Sequence, residues 1–151
     1  MELITLSNSL RIFLNHTDTL RSATVGVWIA SGSRFEKEKN SGISHFIEHI
    51  VFKGSEKRSG FEIAEGMDEI GAYVNAYTTK EYTFFYTKAL DYQILKAADI
   101  LFDMLRNPRL LKEECTFNCI PSCTPSSRRT FSNSSAHISG VSIESEKSMI
   151  S

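Results

Sequence analysis

The chain has 151 residues, with 41% hydrophobic content and 17 Lys and Arg against 18 Asp and Glu. That is the make-up of one globular domain or a piece of something larger, and a net charge of -1 excludes a strongly basic nucleic-acid binder or an acidic tail as whole-chain readings. No apolar run approaches the roughly 18 residues needed to cross a bilayer, and the N-terminus has no basic start before an apolar stretch. The expectation is an intracellular protein, cytoplasmic if bacterial, with neither nucleic acid nor membrane as partner.

In chain order, residues 2–6 and 10–16 read as two short strands around Ser7-Asn8-Ser9, a hairpin turn in which Asn8 is free to adopt a left-handed conformation. Ala23, Val25, Val27 and Ile29 alternate with Thr24, Gly26, Trp28 and Ala30, a strand pattern that Ser31-Gly32-Ser33 ends. Residues 34–40 form a charged, solvated loop. Ile43, Phe46, Ile47, Ile50 and Val51 follow helical spacing, and Gly54 stops that helix. Lys53, Lys57 and Arg58 beyond it suit a solvated turn better than an anion site. A second helix over 61–70 has Ser59 as its cap and Gly71 as its stop.

Two strands rich in Tyr, Phe and Thr follow at 72–79 and 81–88. Residues 92–106 then place Ile94, Ala97, Ala98, Leu101, Met104 and Leu105 on one helix face, with Asp91 as cap and Asn107-Pro108 as stop. Residues 110–114 look like the first turn of another helix. Because strands and helices come in blocks, the fold class is α+β, an antiparallel-rich sheet with helices packed on one face.

Composition breaks after Glu114. Residues 115–151 hold 11 of the 20 serines, 2 of the 18 acids and all 3 cysteines. So little apolar surface cannot offset ordering entropy, and the segment reads as a disordered tail behind a domain of residues 1–114. Cys115, Cys119 and Cys123 have helical spacing, but Pro121 and Pro125 interrupt it and no CxxC is present, so they read as incidental thiols.

The chemistry concentrates in His45-Phe46-Ile47-Glu48-His49. On a helix, residues at i, i+3 and i+4 face the same side. Two imidazoles one turn apart can grip one metal ion, and zinc suits them because it accepts neutral His nitrogen and keeps a position open for water. The carboxylate beside them can serve as general base. The order HxxEH is the inverted zinc-peptidase signature. The same three residues would also serve as a solvated helix stripe.

The longer run GISHFIEHIVFKGS (42–55) resembles the active-site helix of the insulinase (pitrilysin) family of zinc metallopeptidases, which includes processing peptidases. The run GAYVNAYTTKEYT (71–83), the opening LITLSNSLRIFL and the segment SATVGVWIASGSR are similar to further family segments, with Ser9 where Gly is usual. The resemblance covers about residues 2–114 and implies the first part of the family's N-terminal domain. It implies Zn2+ as cofactor, His45 and His49 as ligands, Glu48 as catalytic base, and Asn75 and Ala76 on a strand that pairs with extended substrate. Asn75 could otherwise be a plain strand or bulge residue, and Glu81 matches a recurrent family acid without an assigned role.

The implied reaction is hydrolysis of unstructured peptides or small proteins. The family's third ligand, a later Glu, would fall around residues 122–128, where there is no acid; Glu144 and Glu146 lie well beyond. The family also uses a second related domain or subunit, expected to be absent here. The abrupt break after Glu114 reads as a frameshift or a mis-spliced or mis-predicted gene end, with a genuine alternative tail as the competing reading, and the peptidase reads as impaired. The competing readings are a non-catalytic peptide-binding or structural subunit of the same fold, and a truncated product without function.

Overall fold

The computed structural model describes residues 1–110, apart from Asp18 and the side chain of Asn40, together with the backbone of residues 138–144. Alternating and β-branched residues form the strands. β1 (Glu2–Thr5) and β2 (Arg11–Asn15) make an antiparallel hairpin. In its turn the left-handed residue is Ser9, at φ 67°, rather than Asn8. Asn8 instead accepts a hydrogen bond from the Leu10 amide at 3.1 Å, which closes the loop around its neighbour.

β3 (Ser22–Ile29) pairs antiparallel with β5 (Thr83–Leu90), which pairs antiparallel with β4 (Tyr73–Thr78). The sixth strand, β6 (Ile138–Glu144), comes from the segment expected to lack structure. It lies between β2, to which it is parallel, and β3, to which it is antiparallel. This corrects the reading of the Ser-rich tail at those seven residues: a neighbour on each side supplies backbone partners that the composition alone does not promise. The sheet order is β1-β2-β6-β3-β5-β4. The cysteines and the helical turn expected at 110–114 lie outside the described residues, apart from Leu110.

Three helices pack on one face of the sheet, as expected for the α+β class. α1 is Ile43–Val51, α2 is Gly60–Glu69 and α3 is Ile94–Arg106. Leu101, Met104 and Ala97 of α3 meet Phe85 and Ala89 of β5, Ala76 of β4, Ile63 and Met67 of α2 and Val51 of α1 in one core. Leu101, Ala97 and Met104 are 0% exposed, so α3 is the helix that seals the sheet. The opposite face carries a ladder of rings, in which Phe84 contacts Trp28, Tyr77 and Tyr86.

α2 starts at the expected cap: Ser59 Oγ accepts from the Glu62 amide and Glu62 Oε2 accepts from the Ser59 amide, a reciprocal pair. α3 does not start as expected. Asp91 bonds the Tyr92 amide and the Arg21 side chain, and the helix begins after Gln93 with no side-chain cap. A charged partner 70 residues away outcompetes the helix end for that carboxylate.

Candidate metal centre and active site

α1 carries the candidate chemistry, and its two ends are held by residues outside it. Gly42 enters the helix at φ 86°, a conformation that L side chains resist. The carboxylate of Glu36 then accepts from the Gly42 amide at 2.5 Å and the Ser44 amide at 2.8 Å. It satisfies two of the orphan donors at the helix start and places a negative charge at the positive end of the dipole. Burial pushes the Glu36 carboxyl up, but the amides of Ser44 and Gly42 outweigh it and hold the group below its ordinary value. The loop that reads as solvated therefore contains a helix anchor.

At the other end, Ser55 and Arg58 fasten the turn to α3. Ser55 Oγ donates to Asp103 Oδ2 at 2.6 Å and accepts from the Arg58 amide. The Arg58 guanidinium bonds Asp103 at 2.8 Å and Asp99 at 2.9 Å. Arg58 is therefore an anchored ion-pair residue and not part of a free solvated turn.

Between these anchors, Ser44, Ile50 and Val51 are buried and the helix turns His45 and His49 outward. Ile47, expected on the apolar face, is 39% exposed. The Nε2 atoms of His45 and His49 lie 3.2 Å apart, with the rings edge to face. Two zinc–nitrogen bonds of about 2.0–2.1 Å drawn to atoms 3.2 Å apart meet at roughly 100°, close to the tetrahedral angle. The donor set thus fits two positions of one zinc ion. Among the described residues no third His, Cys, Asp or Glu joins them, and residues 122–128 lie outside that set.

Glu48, half-buried, turns toward the sheet. Its Oε2 accepts a hydrogen bond of 2.6 Å from the Thr78 hydroxyl at the end of β4. Thr78 carries no sequence signal of its own, since a Thr in a Tyr- and Thr-rich strand looks like a β-former. The imidazoles are exposed. A shallow cavity of about 290 Å³ lies at the start of α1, lined by Ser31, Gly32, Phe35, Glu36 and Ser44 among others.

Asn75 and Ala76 sit on β4, the last strand in the sheet order, whose outer edge has no partner among the described residues. Asn75 Oδ1 accepts from the Ala76 amide at 2.9 Å, and its Nδ2 donates to the Tyr73 hydroxyl. Glu81, at the β4–β5 turn, pairs with Arg34 at 2.6 Å in an exposed bridge. That bridge joins the two loops that also meet through the Ser33 and Arg34 amides and the Thr79 and Lys80 carbonyls. No described helix is long and apolar enough to cross a membrane.

Comparison with known proteins places the chain in a family. The chain is 51% identical over 100 residues to the Bacillus subtilis (strain 168) protein named "Uncharacterized zinc protease YmxG", covering 66% of this chain and 24% of that protein. It is 43% identical over 105 residues to the probable mitochondrial-processing peptidase subunit beta of Arabidopsis thaliana, covering 70% and 20%. It is 45% identical over 109 residues to the ubiquinol-cytochrome-c reductase complex core protein I of Euglena gracilis, covering 72% and 22%. The crystal structure of a protease from Helicobacter pylori superposes with a TM-score of 0.71 at 25% identity, over 76% of this chain and 28% of that one. The chain thus spans about a quarter or less of the length of these curated relatives. Residues 11–119 match the model of the family described as Insulinase (Peptidase family M16), and the chain belongs to that family.

Proposed function

We propose that the chain carries the hydrolytic centre of a zinc-dependent metalloendopeptidase, in impaired form. His45 and His49 hold the ion and Glu48 is the catalytic base. The observation that carries this reading is the 3.2 Å separation of the two Nε2 atoms on the helix that also presents Glu48. Zinc, when bound, supplies a Lewis acid that lowers the pKa of a water toward about 7. Glu48 takes a proton at its carboxylate and returns it to the leaving amine. Asn75 and Ala76 bind substrate: an unstructured peptide or small protein adds a strand to the outer edge of β4, where the Ala76 amide exchanges the Asn75 side chain for a peptide carbonyl. The impairment follows from the donor count, since zinc takes three protein ligands in catalytic sites and residues 122–128 contain no acid.

The test is cleavage of an unstructured basic peptide with added zinc, beside a chelated control and Glu48→Gln. The reading expects slow cleavage that both controls abolish. Cleavage that survives Glu48→Gln would overturn the role of Glu48, and fast cleavage would overturn the impairment. A second reading, a non-catalytic subunit of the same fold, is supported by the 45% identity to a protein named as a core protein of the ubiquinol-cytochrome-c reductase complex. It expects peptide binding that neither chelator nor Glu48→Gln changes. A cytoplasmic location belongs to the same proposal, and fractionation of the native source tests it against a mitochondrial one.

A further inference from the structure

Glu48 is held by a chain of hydroxyls that runs across the end of the sheet. Thr83 Oγ1, at the start of β5, donates to the Ser31 carbonyl at 2.8 Å. Its proton is thereby committed, so toward Thr78, its cross-strand partner 3.4 Å away, it can only accept. The Thr78 hydroxyl therefore faces acceptors on both sides, and the nearer is Glu48 Oε2 at 2.6 Å. That length belongs to a hydroxyl donating to a carboxylate, typically about 2.5–2.7 Å. Thr83 is buried and the Ser31 carbonyl lies two residues beyond the end of β3, so the donor direction is fixed by a backbone acceptor beside the sheet.

We propose that Thr78 is the positioning residue for Glu48. It ties Oε2 to β4 and leaves Oε1, which has no hydrogen-bond partner among the described residues, for proton transfer. The proposal rests on the peptidase reading for its purpose. β4 carries Asn75 and Ala76 as well as Thr78. One strand then sets both the register of an added peptide and the direction of the base, so the two keep a constant offset. A helix-borne base without this tie would swing about the free torsions of the Glu side chain.

The experiment uses the full chain labelled with ¹³C at the glutamate carboxyls, with the Glu48 resonance assigned by its loss in Glu48→Gln. Thr78→Val, which keeps the side-chain shape and removes the hydroxyl, should move the Glu48 resonance by more than its linewidth and leave the other glutamates in place. Thr78→Ser should restore it, and Thr78→Ala should reproduce the shift if valine disturbs folding. In the cleavage assay the loss should fall on kcat, about tenfold, with KM unchanged. A Glu48 resonance that stays at its wild-type position in both Thr78→Val and Thr78→Ala overturns the proposal. A moved resonance in a chain whose zinc affinity ignores His45 and His49 would uphold the positioning and remove the peptidase reading.

Discussion

Replacing Asp103 by alanine should cost far more stability than replacing Asp99, although both pair with the same arginine. Asp103 is 5% exposed at its side chain, Asp99 is 71% exposed, and Arg58 between them is 30% exposed. Removing one partner of a buried pair costs about 3–5 kcal/mol, because the other charge is left without compensation. Here Arg58 keeps Asp99 and some water, which lowers that figure. Against this, Ser55, 1% exposed, loses the acceptor for its hydroxyl, a penalty of about 1–3 kcal/mol. The two adjustments roughly offset, so Asp103→Ala should cost about 3 kcal/mol, while Asp99→Ala should cost about 0–1 kcal/mol. Urea unfolding followed by circular dichroism measures both. Equal costs, within about 0.5 kcal/mol, would show that burial does not set the strength of this network.

The same carboxylate predicts an acid limb. The Ser55 hydroxyl, set against burial and helped by Arg58 and Asn107, holds Asp103 below the ordinary carboxylate value. A lowered folded pKa means that the unfolded chain binds more protons, so the contribution is complete above about pH 4 and is lost as pH falls toward the folded value. Asp103→Asn should flatten that limb.

Glu36→Gln should weaken α1 by about 1 kcal/mol, because a neutral amide retains the shape but loses the charge that the two amides and the helix dipole favour; faster hydrogen exchange at Ser44 and Phe46 checks it. Leu101→Ala should destabilise by about 2–5 kcal/mol in urea, since the side chain is wholly buried between α3 and the sheet. Ser9→Gly should stabilise by roughly 0.5 kcal/mol: relief of a left-handed L residue, about 1–2 kcal/mol, exceeds the entropy that glycine adds to the unfolded chain, about 0.5–1 kcal/mol, and a rise in urea midpoint checks it.

Elements whose signal is local were legible from sequence. The period of α1 places His45 and His49 on one face, and the ring contact has that spacing. The Ser59 cap is readable because its partner, Glu62, lies within one helical turn. The strands 73–78 and 83–90 follow from their aromatic and β-branched content. What sequence did not reveal depends on partners far along the chain. Glu36 reaches an amide eight residues on, Thr78 meets Glu48 across 30 residues, and Asp103 meets Ser55 across 48. Each of these residues is an ordinary loop acid, strand threonine or helix aspartate when read in its own window. β6 is the extreme case: its Ser-rich composition argues against structure, and only two flanking strands give it a place.

The central claim is that His45 and His49 share one zinc ion with Glu48 beside it and not holding it. Calorimetric titration of zinc into the chain and into His45→Ala, His49→Ala and Glu48→Gln tests this most directly. The account predicts one weakly bound ion per chain, lost in either histidine variant and retained in Glu48→Gln. Tight binding that survives loss of both histidines would contradict it, because the ion would then be held elsewhere and the 3.2 Å pair would be a surface contact.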